Sequence, residues 1–499
     1  MTIHKTSEHL HSGPTMQTAP TVLKTHNFKR LIIKRMLDAI SWAVQTQTSY
    51  RCRGDSKYMF ASKMTKLVVL SGIAVLIMVS LVSVSAVETV NAQEFVVPVE
   101  IQTYGDAWEG EIAFGLWNFT KLTGGNAFGG TVFNSFLVVM KTDGTLENFR
   151  QSNGLSYWAV KNIAQDTLMF QGEPYERFHF WNYTANAFID FNASGHHGVE
   201  YNVINNTFLT LNRYVRTVGG NNILYDKIVE FDANGTTLWS WDAYDHIPLS
   251  QACDFNDTCD YFGQTVIDFT HANYVQWDYN NSIVYLNTRH TNTFYKINMT
   301  TGNIVWSCGE FGNFTLLDEQ GNPVNSLWYH SHASRMVEPN VFVMYDNDFH
   351  NVTNPNNCHS RMIEVTVNEQ NMTAWVSWSW QAPKQYWSPY WGKHDRLPNG
   401  NHIGVFGCPT HRFLQNQPWV GNDTGAVLVE VNQTGNIVRT YTFPPGWGIY
   451  RIDEITNHSS VPVVPEIDSR LLVLVLLATT PFVLLRKKLP KSQIHPPYA

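Results

Sequence analysis

Between residues 105 and 455 the apolar positions fall into short runs separated by polar turn signals such as Asp143-Gly144, Asn234-Gly235 and Thr434-Gly435. The runs are about 5–8 residues long, which is strand length, and the turn residues favour φ > 0. One shape recurs: an apolar alternating run, an Asp or Asn, a glycine soon after, then a second apolar run. It appears at Leu137 to Gly144, Ile228 to Gly235, Tyr295 to Gly302 and Val427 to Gly435, and Trp239 and Trp306 mark two of the returning runs. Between these hairpins stands another, which begins with a polar residue and often a histidine. Its fullest copy runs from Asp268-Phe269-Thr270-His271-Ala272-Asn273 through Asn280-Asn281 to Thr288-Arg289-His290, with weaker copies starting at His197, His332 and His394.

Two hairpins per unit, repeating every ~40–60 residues, predict an all-β, six-bladed β-propeller. The expected blades are 108–151, 155–192, 197–243, 268–307, 330–380 and 392–443, all within a propeller at 105–455. A last strand near Gly448-Ile449-Tyr450-Arg451 is expected to complete the first blade and close the ring. An antiparallel hairpin returns the chain to the end it left, so first-strand starts and second-strand ends share one face. That places His197, His271, His332 and His394 around one opening. Arg289, His290 and His411 join them from second-strand ends, Asn273 from the histidine phrase itself, and Tyr450 and Arg451 from the closing strand.

The flanks read differently. Residues 1–62 resemble neither a domain nor a signal, and an overcalled start, with Met59 or Met64 the true first residue, is the simplest account. Lys63 and Lys66 precede an apolar run from Leu67 to Val87, and Val90-Asn91-Ala92 offers a small residue for cleavage. Residues 63–92 are therefore expected to be an export signal or an uncleaved anchor. Residues 456–470 read as a stalk. Residues 471–488 are an apolar tail ending in Arg486-Lys487-Lys488, an anchor or sorting signal that would leave the body outside. An exported protein at the cell surface or beyond it, associated with the membrane through these termini, is the expectation.

Composition narrows the partners. Charged residues are only 15% and the net charge is -7, with no basic stripe in the body, so nucleic acid is not expected. Asn-x-Ser/Thr triplets are dense, as in a glycoprotein. Cys253 and Cys259 close a short loop and are expected to pair in an oxidising compartment; Cys308, Cys358 and Cys408 have no readable pairing.

Imidazole near pH 7 is a nucleophile and a proton carrier, and neighbouring Arg favours an oxyanion such as sulfate or phosphate. Converging histidines are also the donor set of a metal site. The bland alternative is that related repeats carry the same strand-starting histidine for structural reasons. Carboxylates at the mouth are few, and no pair suited to glycoside hydrolysis stands out.

The ordered set of Thr270-His271-Ala272-Asn273, Thr288-Arg289-His290, Trp328 to Ala333, Val343 to Asn347, His394 to Asn401 and Tyr450-Arg451 resembles the prokaryotic arylsulfate sulfotransferases over about residues 130–455. The resemblance implies transfer of a sulfuryl group from an aryl sulfate donor to a phenolic acceptor through a sulfohistidine, with no cofactor and no nucleotide sulfate donor. It implies that His271 and His332 contact the sulfuryl group and that His411 or His394 is the nucleophile. The family's Asp-Asn-Gly is here Asp346-Asn347-Asp348, and the next arginine is Arg361 after an Asn-rich insertion, so the arginine role falls to Arg289 or Arg361. A non-catalytic surface propeller and an aryl sulfatase are the competing expectations.

Overall fold

The computed structural model describes residues 95–455 apart from 119–133, 153–155, 174–175, 254–257, 351–356 and 408–424. Six antiparallel sheets follow one another along the chain. Blade 2 is a plain up-and-down meander, Ser156–Ala164, Thr167–Glu173, Arg177–Asn182 and Ala187–Ser194. Blade 4 repeats it with Ala272–Asp278, Ile283–Thr288, Thr293–Asn298 and Ile304–Gly309. Blade 3 (His196–Asn202, Thr207–Val218, Asn221–Asp232, Thr237–Asp242) has two long middle strands. Their projecting part carries an added hairpin, Thr258–Tyr261 and Gln264–Asp268. Blade 5 comprises His332–Glu338, Val341–Asp346, Arg361–Asn368 and Thr373–Gln381, and blade 6 comprises Lys393–Arg396, His402–Phe406, Val427–Val431 and Ile437–Thr442.

The ring closes twice. Trp447–Ile455 is the innermost strand of blade 1, pairing with Glu111–Asn118, ahead of Asn134–Lys141 and Leu146–Gln151. Glu100–Thr103, which sequence reasoning did not foresee, pairs with Ile437–Thr442 on the outer edge of blade 6. The chain thus borrows a strand at each end, so blades 1 and 6 cannot separate without breaking both ladders.

Each blade buries both faces, because a strand sends alternate side chains to opposite neighbours. Phe208 packs with Phe178 and Met169 of blade 2, while Leu209 next to it packs with Val275 and Leu286 of blade 4. Met344 faces blade 4 and Tyr345 faces blade 6. Blades 1 and 2 meet through Leu137, Val139, Phe170 and Trp181, and blades 6 and 1 through Phe114, Val138, Leu428 and Tyr441. Every neighbouring pair therefore has its own apolar core, and the axis is left to polar side chains.

Along that axis Lys161 pairs with Glu200 at 3.4 Å, Lys393 with Asp395 at 2.8 Å and Asp453 at 3.4 Å, and Arg335 with Asp395. A narrow pocket lies among them, lined by Lys161, Glu200, Lys393 and Asp453 together with His197, Tyr274 and Arg451. No helix among the described residues is long and apolar enough to cross a membrane. The expected leader and tail lie outside the described residues.

Candidate functional site

The site is the mouth, the end at which innermost strands begin. Four of those strands enter through a kink rather than as ideal β. Ala159, His197, His271 and Ala333 have φ of 37°, 60°, 42° and 54°, and Trp391, just ahead of the fifth, has 63°. Their pairings with the second strands slip at the same place in blades 2, 4 and 5. A non-glycine residue in this region costs about 1–3 kcal/mol, so the repetition is a built feature. The kinks expose carbonyls that are answered across the axis. Arg451 donates to His197 O at 2.6 Å and to Asn273 O, and Trp117 Nε1 donates to Tyr157 O at 2.8 Å.

Three kink histidines share one arrangement. His332 Nδ1 lies 2.6 Å from Asn347 Oδ1. Asn347 Nδ2 donates to Ser388 O and Trp391 O, so its oxygen must accept, and the proton sits on His332 Nδ1. His271 Nδ1 lies 2.5 Å from Asp268 Oδ2. His197 Nδ1 lies 2.8 Å from His196 Nδ1, and His196 Nε2 is in turn 3.0 Å from Asp226 Oδ1. In each, Nδ1 is tied back and Nε2 is the nitrogen left for chemistry. The rings converge: His197 and His271 are 5.4 Å apart between centroids, and Tyr450 lies 5.6 Å from His197 and 6.4 Å from His332.

Electrostatics keeps most of these rings neutral. Burial first, then the Arg289 and Arg451 charges, holds His332 well below the ordinary imidazole range. Burial and the neighbouring His196 and His271 do the same to His197. Burial tends to raise the Asp268 carboxyl, but His271 beside it, with His290 and Arg213 beyond, more than reverses this and keeps it ionised. Burial pushes the Tyr450 phenol up to about 12, against the Arg451 guanidinium beside it, while Arg451 Nε and Trp158 Nε1 have no hydrogen-bond partner among the described residues. Buried orphan donors are costly, about 1–3 kcal/mol each, and point to a ligand that satisfies them.

The mouth has two halves. Trp117, Trp158, Trp391 and Tyr450 form one aromatic cluster, with Trp158 5.4 Å from Trp391 and 5.1 Å from Tyr450. Against it stand the imidazoles, His197 6.2 Å from Trp158, and Arg289, whose guanidinium is fully buried, 5.0 Å from the Tyr390 ring and 2.5 Å from His290 Nε2.

Residues 149–443 match the family model of arylsulfotransferase (ASST). The chain belongs to the arylsulfotransferase family. No curated protein matches it. Among solved structures, a protein of unknown function from Bacteroides caccae is 13% identical, covering 69% of this chain and 99% of its own, with a TM-score of 0.37. The Cps50 (Swd1) β-propeller domain of Myceliophteria thermophila is 9% identical over 68% and 89%, at 0.34. A streptogramin B lyase is 7% identical over 70% and 98%, at 0.33. The fold assignment rests on the six sheets, not on these likenesses.

Within this arylsulfotransferase fold the expected site residues part company. His197, His271, His290, His332, Arg289, Tyr450 and Arg451 gather at the mouth. His394 does not. Lys393 and Asp395 point to the axis, so the pleat turns His394 between them toward blade 5, where Nδ1 meets Ile363 O at 3.1 Å and Nε2 meets His402 Nδ1 at 3.0 Å. The blade 6 counterpart of the kink histidines is Trp391. Asn273 is fully buried and its carboxamide joins Asn287 to Ser331 O. Arg361 is fastened to Asp346 at 2.5 Å and to Leu327 O, so Arg289 is the arginine of the imidazole cluster. His411 lies outside the described residues.

The expected Cys253–Cys259 bridge is not formed. Both are thiols, and Cys253 Sγ stands 3.1 Å from His330 Nε2 while its N–H donates to His290 O at 2.9 Å. The long loop is thereby moored to the mouth through the histidines instead of through sulfur. His330, His196 and Asp226 were not anticipated; the doublets His196-His197 and His330-x-His332 were the available signal.

Asp268, His271 and His290 offer ligand atoms within 4.8 Å of one another. A cation fits poorly. His290 Nδ1 is 2.6 Å from Asp268 O, and its Nε2 faces the Arg289 guanidinium, so neither nitrogen has a lone pair to spare beside a fixed positive charge.

Arg451→Gln is expected to lower stability by about 2–4 kcal/mol, read as the urea midpoint, because it strands two buried carbonyls on different blades. An unchanged midpoint would show that the kinks do not depend on this cross-axis contact.

Proposed function

We propose that this chain is an exported arylsulfate sulfotransferase, moving a sulfuryl group from an aryl sulfate to a phenol through a sulfohistidine. The observation that carries the reading is the make-up of the mouth: an aromatic cluster beside imidazoles and a buried arginine, as an aryl ring and its sulfate require. Arg289, with Arg451 Nε, would neutralise the sulfuryl oxygens as charge moves onto them. The Tyr450 hydroxyl would donate to the bridging oxygen as the phenolate leaves.

The attacking imidazole nitrogen forms the N–S bond while the S–O(aryl) bond breaks and the phenolate takes a proton. A second phenol then attacks the same sulfur, gives up its proton and restores the free imidazole. The family resemblance gives the attack to His411. The chain reaches it four residues after Gly407, whose carbonyl accepts the Ile449 N–H at 3.0 Å. His394 is turned away from the mouth toward blade 5, which weighs against it as the nucleophile. His332, neutral with its Nε2 lone pair uncommitted, is suited to take the acceptor phenol's proton, and His271, backed by Asp268, to give one to the leaving phenolate. Export rests on the apolar runs at 63–92 and 471–488.

The test is p-nitrophenyl sulfate with and without a second phenol. Faster release of p-nitrophenol together with recovery of the sulfated second phenol is expected. Release without transfer would mean a sulfatase, and no release a non-catalytic propeller.

A further inference from the structure

The far end of the propeller, opposite the mouth, carries a repeated feature that the mouth chemistry does not use. In blades 2 to 6 the third strand runs away from the mouth into a turn, and in each the turn begins or contains an Asn-x-Thr triplet: Asn182, Asn234, Asn298, Asn371 and Asn432. All five asparagines are exposed or half-exposed, as are the threonines two residues on. Blade 1 has Asp143-Gly144-Thr145 at the equivalent turn, with no amide nitrogen to offer.

The side chains are arranged alike where the geometry is sharpest. Asn371 Oδ1 accepts from Thr373 Oγ1 at 2.7 Å, and Asn432 Oδ1 from Thr434 Oγ1 at 2.8 Å and Thr434 N at 3.1 Å. Asn298 Oδ1 accepts from Thr300 N at 2.9 Å. These three carboxamide oxygens are turned back onto their own turns, while Asn182 Nδ2 donates to Thr167 Oγ1 at 3.4 Å and Asn234 Nδ2 to Asp232 Oδ2 at 3.3 Å. Turn chemistry by itself selects Asn for such positions, but it does not require a threonine two residues later in five blades. The triplet at the mouth differs: Asn118, at the mouth end of blade 1, is 7% exposed.

We propose that these five turns are N-glycosylated, so that glycans cover the end opposite the mouth and leave the mouth bare. The donor class is an oligosaccharide linked through phosphate to a lipid. Nδ2 forms a bond to the sugar's anomeric carbon, the bond from that carbon to the phosphate oxygen breaks, the lipid phosphate departs, and one amide proton is released. The last described strand ends at Ile455 on the same end, so the glycans would surround the point where the chain leaves the ring.

The test is peptide mass mapping of the protein purified from its own cells, before and after chemical deglycosylation. Glycan-shifted peptides at three or more of the five turns are expected, with the Asn118 peptide at its unmodified mass. The combined Asn298→Gln, Asn371→Gln, Asn432→Gln variant should lose three glycan masses with turnover of p-nitrophenyl sulfate unchanged. Fewer than three occupied turns, or a glycan at Asn118, would overturn the proposal. Because the readout is mass, its failure is separate from failure of the transfer reaction.

Discussion

His332→Ala is expected to lower kcat/KM for an aryl sulfate donor and phenol acceptor by about 10²–10⁴, the range for removing a positioned acid–base group. The size of the loss follows from how fully the side chain is prepared. Its proton is fixed on Nδ1 by Asn347, burial and two guanidinium groups keep it neutral, and Nε2 is left for the phenol. Stability should change less, since the imidazole makes one side-chain hydrogen bond whose loss costs about 1–3 kcal/mol. The pH dependence supplies a second readout. A base that must be neutral, with a lowered pKa, remains competent below pH 6.5 and fails only as pH falls through that lowered value. Asn347→Asp places a carboxylate against Nδ1, stabilises the imidazolium and should move the acid limb of the kcat/KM profile upward. An acid limb that stays in place in Asn347→Asp, or full activity in His332→Ala, would remove His332 from the chemistry.

Much of this site was legible because a propeller makes strand starts into neighbours. Turn signals and paired apolar runs gave six blades, and the hairpin argument brought His197, His271 and His332 together although 135 residues separate the first from the last. What escaped was local. The positive φ at His197, His271 and Trp391 leaves no mark in composition, so blade 6 was aligned on His394, three residues past its kink. Glu100–Thr103 is short, largely exposed and without an apolar alternation, and only tertiary pairing makes it a strand. The supporting residues Asp226 and Asn347 come from a third strand and from a loop, where their partners are set by packing between blades, and His196 opens its strand one position before the expected His197. Cys253 shows the same limit: spacing suggested a bridge to Cys259, while the fold hands its sulfur to His330.

Lowering pH from 7 to 5 should destabilise the propeller by several kcal/mol, with Asp348, raised to about 6 by burial and by Asp346, opposing the trend through a single proton. His197, His290, His330 and His332 at the mouth, and His394 beneath it, are all held well below the ordinary imidazole value, in each case first by burial and then by neighbouring imidazolium or guanidinium charge. His402, stacked on Trp378 at 3.8 Å, is lowered to about 4 by burial and by Arg396. In the unfolded chain the same imidazoles take up protons near pH 6.5. Below that pH the unfolded state therefore binds more protons than the folded one, and stability falls as pH falls until each folded-state value is reached. Each neutral imidazole contributes about 1.4 kcal/mol per pH unit across its window, against a total stability on the order of 5–15 kcal/mol for a domain. Asp268, lowered in the fold, adds stability that is lost only at more acid pH, near and below the ordinary carboxylate value of about 4. The two classes are thus separable in a urea series between pH 7 and 5, where the midpoint should drop steadily. His402→Phe, which removes one such group from beneath the mouth, should reduce that slope by about one proton. A midpoint that is flat across this interval would mean that the buried imidazoles are charged in the fold, and His332 could not then serve as the base that the transfer reaction needs.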